Sequence, residues 1–211
     1  MNGVQPPHLQ CVVLAAGRST RLGRPKALLR IHGLSLLRRT VRLLRGLGAG
    51  PVIVVVPPRA QRLRAELAGE AARCVENRHR DRGLSSSVQR GLDAARFTRA
   101  VLLVPVDLVH LQRRDLERLV ARARAHPREV VARRLGAGPA TPLIFPQRLR
   151  KRARALQGDQ GLRELFARVP REAFVTLELP SASADLDTRD DLPTARSFRA
   201  LAARGRYPSV R

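Results

Sequence analysis

The stretch CVVLAAGRSTRLGRPKALLRIHG, residues 11–33, opens as an unbroken apolar run and dissolves into a loop with glycines at 17 and 23 and a proline at 25. A continuous apolar strand, without alternation of polar and apolar residues, is one covered on both faces, as in parallel sheets. We read residues 11–16 as that strand. The loop leaving it therefore lies at the carboxyl edge, where open α/β sheets bind their ligands. It carries Arg18, Ser19, Thr20, Arg21 and Lys26. Backbone N–H groups and cations at such a turn form a phosphate site. The glycine spacing is neither that of a Walker loop nor that of a Rossmann fingerprint. Lys26 is one of 2 lysines beside 39 arginines. An ammonium is a compact point charge that can sit on a bridging phosphate oxygen, where a planar guanidinium demands a wider approach. On spacing alone, an ordinary Gly/Pro loop with solvated basic residues fits equally well.

Outward from this loop, strand and helix alternate. Residues 35–48 have helical spacing and a glycine-rich stop, 51–56 form a second buried strand and 60–72 a helix. A weak strand follows at 72–77, then a polar loop, a helix at 85–97 with serine start signals, a strong strand at 100–107 and a helix at 112–126. Residues 129–145 read as two strands around a Gly/Pro turn. Helices are expected at 148–157 and from 158, a strand at 173–180, and a terminal helix after a turn. The pattern predicts an α/β, three-layer, Rossmann-like fold: a mostly parallel sheet with helices on both faces and a small antiparallel element in the C-terminal half. A single domain over 9–204 is expected, with flexible ends at 1–8 and 205–211.

Composition narrows the function classes. The chain has 211 residues, is 44% hydrophobic and carries a net charge of +24. That charge suits a polyanionic partner or an arginine-rich proteome. With no Trp, one Tyr and five Phe, it lacks the stacking surfaces of single-strand nucleic-acid binders, and a nucleic-acid role is not expected. No apolar run approaches a membrane span, and the first ten residues have no signal-peptide pattern, so a cytoplasmic protein is expected. Cys11 and Cys74 form no metal or redox motif and read as buried, reduced thiols. The histidines have no metal spacing; His79 and His110 are weak candidates.

LAAGRSTRLGRPKALL closely resembles the signature L-[AG]-[AG]-G-x-x-x-R-[ML]-G-x-x-K of the MobA-like nucleotidyltransferases. Its Ala15-Ala16 pair is more similar to the CTP:molybdopterin cytidylyltransferase branch than to the guanylyl branch. NRHRDRGLSSSVQRGL resembles the family segment that touches the base, with Asn77, Gly83, Ser87 and Gly91 in register; Ser85 and Ser86 read as caps of the following helix. Asp107, at a strand end, matches the family's metal-binding aspartate, although on its own it also reads as a turn or cap residue. Asp107-Leu108-Val109 lacks the usual proline of Asp-x-Pro. GPATPLIF has Thr141 where relatives carry histidine, GDQGLR at 158–163 matches G-D-x-G-[AL]-R, and ADLDTRDDL has Arg189 in place of proline. The matches run from residue 11 to about 192.

The resemblance implies a GT-A-like nucleotidyltransferase fold and a Mg²⁺-dependent reaction. CMP, from CTP as the favoured nucleoside triphosphate, passes to a phosphorylated acceptor such as molybdopterin, with release of pyrophosphate. Arg21, Lys26 and Asp107 are the catalytic candidates. Leu14, Ala15, Ala16, Gly17, Arg18, Ser19, Lys26, Asn77 and Ser87 are the nucleotide-binding candidates. Asp107 and Asp187 would hold the metal, with Asp185 in reserve. A molybdoenzyme apo-protein is a compatible partner. Guanylyl transfer, another phosphorylated acceptor and a non-catalytic binding protein are the alternatives.

Overall fold

The computed structural model describes residues 9–17, 25–95, 98–136, 138–149, 166 and 170–182. Its elements are β1 (Leu9–Leu14), β2 (Arg30–Ile31), β3 (Leu34–Ser35), α1 (Leu36–Leu44), β4 (Val52–Val56), α2 (Gln61–Glu66) and β5 (Ala72–Glu76). They are followed by α3 (Leu84–Ala94), β6 (Ala100–Pro105), α4 (Arg113–Ala125), β7 (Val130–Leu135), β8 (Gly138–Pro146) and β9 (Phe174–Leu177).

Seven strands form one sheet in the order β5-β4-β1-β6-β8-β7-β9. β4, β5 and β6 run parallel to β1, and β9 runs parallel to β7. Only β8 runs against its neighbours β6 and β7. The expected antiparallel element is thus the β7–β8 hairpin inserted into the sheet. A second antiparallel pair, β2–β3, was not anticipated. It turns on His32 (φ 49°) and Gly33 (φ 78°), two successive left-handed residues that close a tight hairpin.

The apolar strands are explained by two cores. Cys11, Val13, Val52, Val54, Leu102 and Val104 pack on one face with α1, α2 and α4. Val12, Leu14, Ile53, Val55, Val101 and Leu103 pack on the other with Val88 and Leu92 of α3. Every second residue of each strand serves one layer and the remainder serve the other, so no polar face is left. α3 lies close to the sheet at Gly91, where an added Cβ would stand 2.7 Å from Val12 Cγ1.

Two local expectations are corrected. α2 ends at Glu66, short of the expected 72, because the chain tightens through Leu67 N–H to Arg64 O and turns at Gly69 (φ 78°) to enter β5. Ser85 and Ser86 do not cap α3: its N-cap is Gly83 without a side-chain bond, and the two hydroxyls donate back to the carbonyls of Arg82 and Gly83. Where a helix was expected from residue 148, a 3-10 turn covers Gln147–Leu149. The remaining expectations for 150–165 and from 183 onward lie outside the described residues.

Candidate active site

The carboxyl edge of β1, β4 and β6 carries the site. Strand-like pairing continues one step past β1 on both sides, from Ala15 N–H to Val55 O (2.9 Å) and from Val106 N–H to Leu14 O (3.3 Å). Leu14, Ala15 and Ala16 are thereby fixed and buried. Gly17 then emerges exposed, and a Cβ placed on it would meet nothing within 4 Å. The backbone here is open to close approach by a ligand. Arg18, Ser19 and Arg21 lie outside the described residues.

The chain returns at Pro25 and folds Lys26–Leu28 into a 3-10 turn, closed by Leu28 N–H to Pro25 O and Leu29 N–H to Lys26 O. Ala27 and Leu29 anchor this turn in the core. The turn aims Lys26 across the edge at Asp107, two residues past the end of β6, with Nζ 3.4 Å from Oδ2. Both side chains are partly exposed, at 17% and 27%. The two residues named separately from sequence, 81 positions apart, thus meet at one point.

Asp107 sits on a firm support. Val109 N–H closes a tight turn onto Asp107 O at 2.9 Å, and Leu108, Val109 and Leu111 are buried. Arg39 of α1 donates to Leu111 O. Core burial fixes this loop without the proline that relatives carry. Burial, and then the charge of Arg39, push His110 below the ordinary imidazole range, so it is neutral at physiological pH.

Asn77 and Ser87 also come together. Asn77, one residue past β5, donates its N–H to Val56 O at the end of β4. Its side-chain amide donates to Ser86 Oγ (2.8 Å) and Ser87 Oγ (3.0 Å), while its Oδ1 accepts from His79 N–H. Ser86 in turn donates to Gly83 O. Because Ser87 Oγ accepts from Asn77, its own hydrogen is directed elsewhere. A cleft of about 530 Å³ opens beside this cluster, lined by Asn77, Ser86, Arg78, His79, Arg82 and Arg90 among others.

Sequence reasoning missed Arg133. It is buried in β7, between Ala140 of β8 and Leu177 of β9, at the irregular register beside Thr141–Pro142. The available signal was a pair of arginines, Arg133 and Arg134, in an otherwise apolar strand. Asp187 and Asp185 lie outside the described residues. Among the described residues no three acidic, histidine or cysteine side chains cluster for a metal. Asp107 supplies a partly exposed carboxylate at this edge, and a carboxylate oxygen suits a hard divalent cation that retains waters.

A mostly parallel sheet thus presents a glycine-bearing loop, a lysine and a strand-end aspartate together at its carboxyl edge. The profile of the MobA-like NTP transferase domain matches residues 11–173, and the chain belongs to that family. It is 44% identical over 105 residues to the Bifunctional IPC transferase and DIPP synthase of Rubrobacter xylanophilus, covering 46% of this chain and 23% of that one. It is 38% identical over 114 residues to the Molybdenum cofactor guanylyltransferase of Xanthomonas euvesicatoria pv. vesicatoria, covering 52% of each. The chain thus spans about half or less of the length of these relatives. Among solved structures, Rv0371c from Mycobacterium tuberculosis H37Rv aligns with a TM-score of 0.72 at 27% identity, over 94% of this chain and 98% of that one. A complex of Rv0371C with manganese aligns with a TM-score of 0.60 at 25% identity, over 92% and 97%. No described helix is long and apolar enough to cross a membrane.

Proposed function

We propose that this chain, as one domain over residues 9–204, transfers a nucleoside monophosphate from a nucleoside triphosphate to a phosphorylated acceptor and releases pyrophosphate. The observation that carries the reading is the Lys26–Asp107 pair at the open carboxyl edge. An acceptor phosphate oxygen forms a bond to the α-phosphorus as the bond from that phosphorus to the bridging oxygen breaks, and pyrophosphate carries the electron pair away. The protein's part is positioning and charge stabilisation. The backbone of Leu14–Gly17, with Arg18, Ser19 and Arg21, cradles the phosphates. Lys26 offsets charge developing on the α-phosphate and the leaving group. Asp107, with Asp187, would hold Mg²⁺, which when bound neutralises phosphate charge. The similar structure of Rv0371C in complex with manganese supports a divalent ion in the reaction. Ser87, oriented by Asn77, offers a hydroxyl donor to the base.

The base is CTP's cytosine on the strength of Ala15-Ala16, and molybdopterin is the acceptor. Guanylyl transfer is the second reading, favoured by the name of the Xanthomonas relative. Thr141, at the β7–β8 irregularity, stands where relatives carry a histidine, a difference that bears on the acceptor. The test is turnover of CTP and GTP with molybdopterin, followed by pyrophosphate release. CMP transfer supports the first reading, GMP transfer replaces it with the second, and no release with either nucleotide overturns both.

A further inference from the structure

The cleft beside Asn77 lies apart from the Lys26–Asp107 pair. Its walls are the loop after β5 and one face of α3, on which Ser86, Arg90 and Asp93 follow at helical spacing. β5 is the edge strand, three places from β6 in the order β5-β4-β1-β6; at about 4.8 Å per strand, the two lie about 14 Å apart. Among the described residues, none from β1, the Lys26 turn or the Asp107 loop lines the cleft. Asn77 forms the partition. Its amide donates to Ser86, which lines the cleft, and to Ser87, which does not. The volume of about 530 Å³ falls within the range of about 300–1,000 Å³ that small-molecule sites occupy.

Charge decides what the cleft can hold. Arg78 and Arg82 line it, both exposed, and among the described residues no hydrogen bond or ion pair engages either guanidinium. Arg90 is oriented by its Nε donating to Glu76 O at 2.9 Å, which leaves its terminal nitrogens for another acceptor. Two acids also line the cleft without cancelling this charge. Glu76 is taken by Arg64 at 3.0 Å, and Asp93 stands two turns along α3 from Ser86, about 10 Å at about 1.5 Å per residue. The buried floor is already satisfied, since Ser86 Oγ accepts from Asn77 and donates to Gly83 O. Cations gathered around a concave surface concentrate counter-ions there. Guanidinium forks match phosphate oxygens in pairs, and three forks exceed what the two oxygens of one carboxylate can use, whereas a phosphate presents three acceptors. We propose that this cleft is a second anion site, separate from the Lys26–Asp107 edge, which binds a small phosphate-bearing molecule through Arg78, Arg82 and Arg90.

The test titrates the full chain with inorganic phosphate and with glycerol 3-phosphate at fixed pH, read by NMR on the ring protons of His79, which also lines the cleft. His79→Gln assigns that signal, and chloride at matched ionic strength controls for screening. Lys26→Ala separates this site from phosphate held at the β1 edge. A saturable shift of the His79 signal is expected in wild type and in Lys26→Ala. In the double variant Arg78→Ala/Arg82→Ala the affinity should fall by about tenfold or more, the effect of losing two charge-assisted partners. Both arginines are exposed, and circular dichroism verifies that the double variant is folded. Tighter binding of the ester makes an organic phosphate the occupant; equal or tighter binding of inorganic phosphate makes it the free ion. A shift that chloride reproduces, one that survives unchanged in the double variant, or no shift at all would overturn the proposal. A shift lost in Lys26→Ala would place the phosphate at the β1 edge instead and overturn it as well.

Discussion

The ammonium of Lys26 lies 3.4 Å from the carboxylate of Asp107. One sits on a turn after β1 and the other two residues past β6, so the pair spans the carboxyl edge between adjacent strands. The contact keeps opposite charges together at a partly exposed site; in the proposed reaction the two separate when phosphates and a cation arrive.

Lys26→Ala should lower kcat/KM by about a hundredfold or more, the effect of losing one preorganised charge-stabilising donor. Lys26→Arg should also lose activity sharply, because the planar guanidinium cannot take the ammonium's place on a bridging oxygen. Steady-state kinetics check this, and an arginine variant with unchanged rates would remove the explanation for the lysine.

Asn77 and Ser87 should act as one unit toward the nucleotide. Ser87→Ala removes the donor, and Asn77→Ala releases the hydroxyl that Asn77 orients at 3.0 Å. Each should weaken nucleotide binding, and the double variant should lose less than the sum of the two, as residues sharing one interaction do. Calorimetry on the four proteins measures the coupling; strict additivity would show that the two serve separate purposes.

The order of strands and helices was legible because β1, β4 and β6 are buried on both faces and therefore read as unbroken apolar runs. The β2–β3 hairpin was not, since four strand residues give no periodicity and His32 is not a usual turn residue. The serines at 85 and 86 looked like caps because hydroxyls near a helix start commonly are, whereas the fold uses Gly83 there and turns their hydroxyls back to the carbonyls of Arg82 and Gly83. At the site, Lys26 and Asp107 were each legible from local motif, but their contact depends on β1 and β6 being neighbours, and Arg133 became visible only once β7 was placed.

Gly91→Ala should destabilise the fold. The new methyl would stand 2.7 Å from Val12 Cγ1, on a side chain with 0% exposure and no room to retreat. Overpacking costs about 1–3 kcal/mol against a helix-propensity gain of about 1 kcal/mol or less, and the 2.7 Å approach to a side chain fixed in the core puts the cost toward the upper end, for a net Tm fall of up to about 8 °C. A thermal scan checks this, and an unchanged or raised Tm would contradict the close approach of α3.

Cys11 should make stability fall at alkaline pH. Burial pushes its thiol from 9.0 up to about 12, against the opposing charge of Arg113. The folded state holds this proton more tightly than the unfolded state, so the contribution is fully present below about pH 9 and is lost as pH rises from about 9 to 12. Cys11→Ala should show a shallower decline of Tm over that window than wild type. In the folded wild-type protein a thiol reagent near pH 8 should leave Cys11 unlabelled.

The most direct measurement is calorimetric binding of CTP, GTP, ATP and UTP, with and without Mg²⁺, to wild type and to Asp107→Ala. The account predicts Mg²⁺-enhanced binding, selective for CTP, with the enhancement lost in Asp107→Ala. Selectivity for GTP would keep the site and change the base. No nucleotide bound above background, or a Mg²⁺ effect that persists without the Asp107 carboxylate, would contradict the account at its centre.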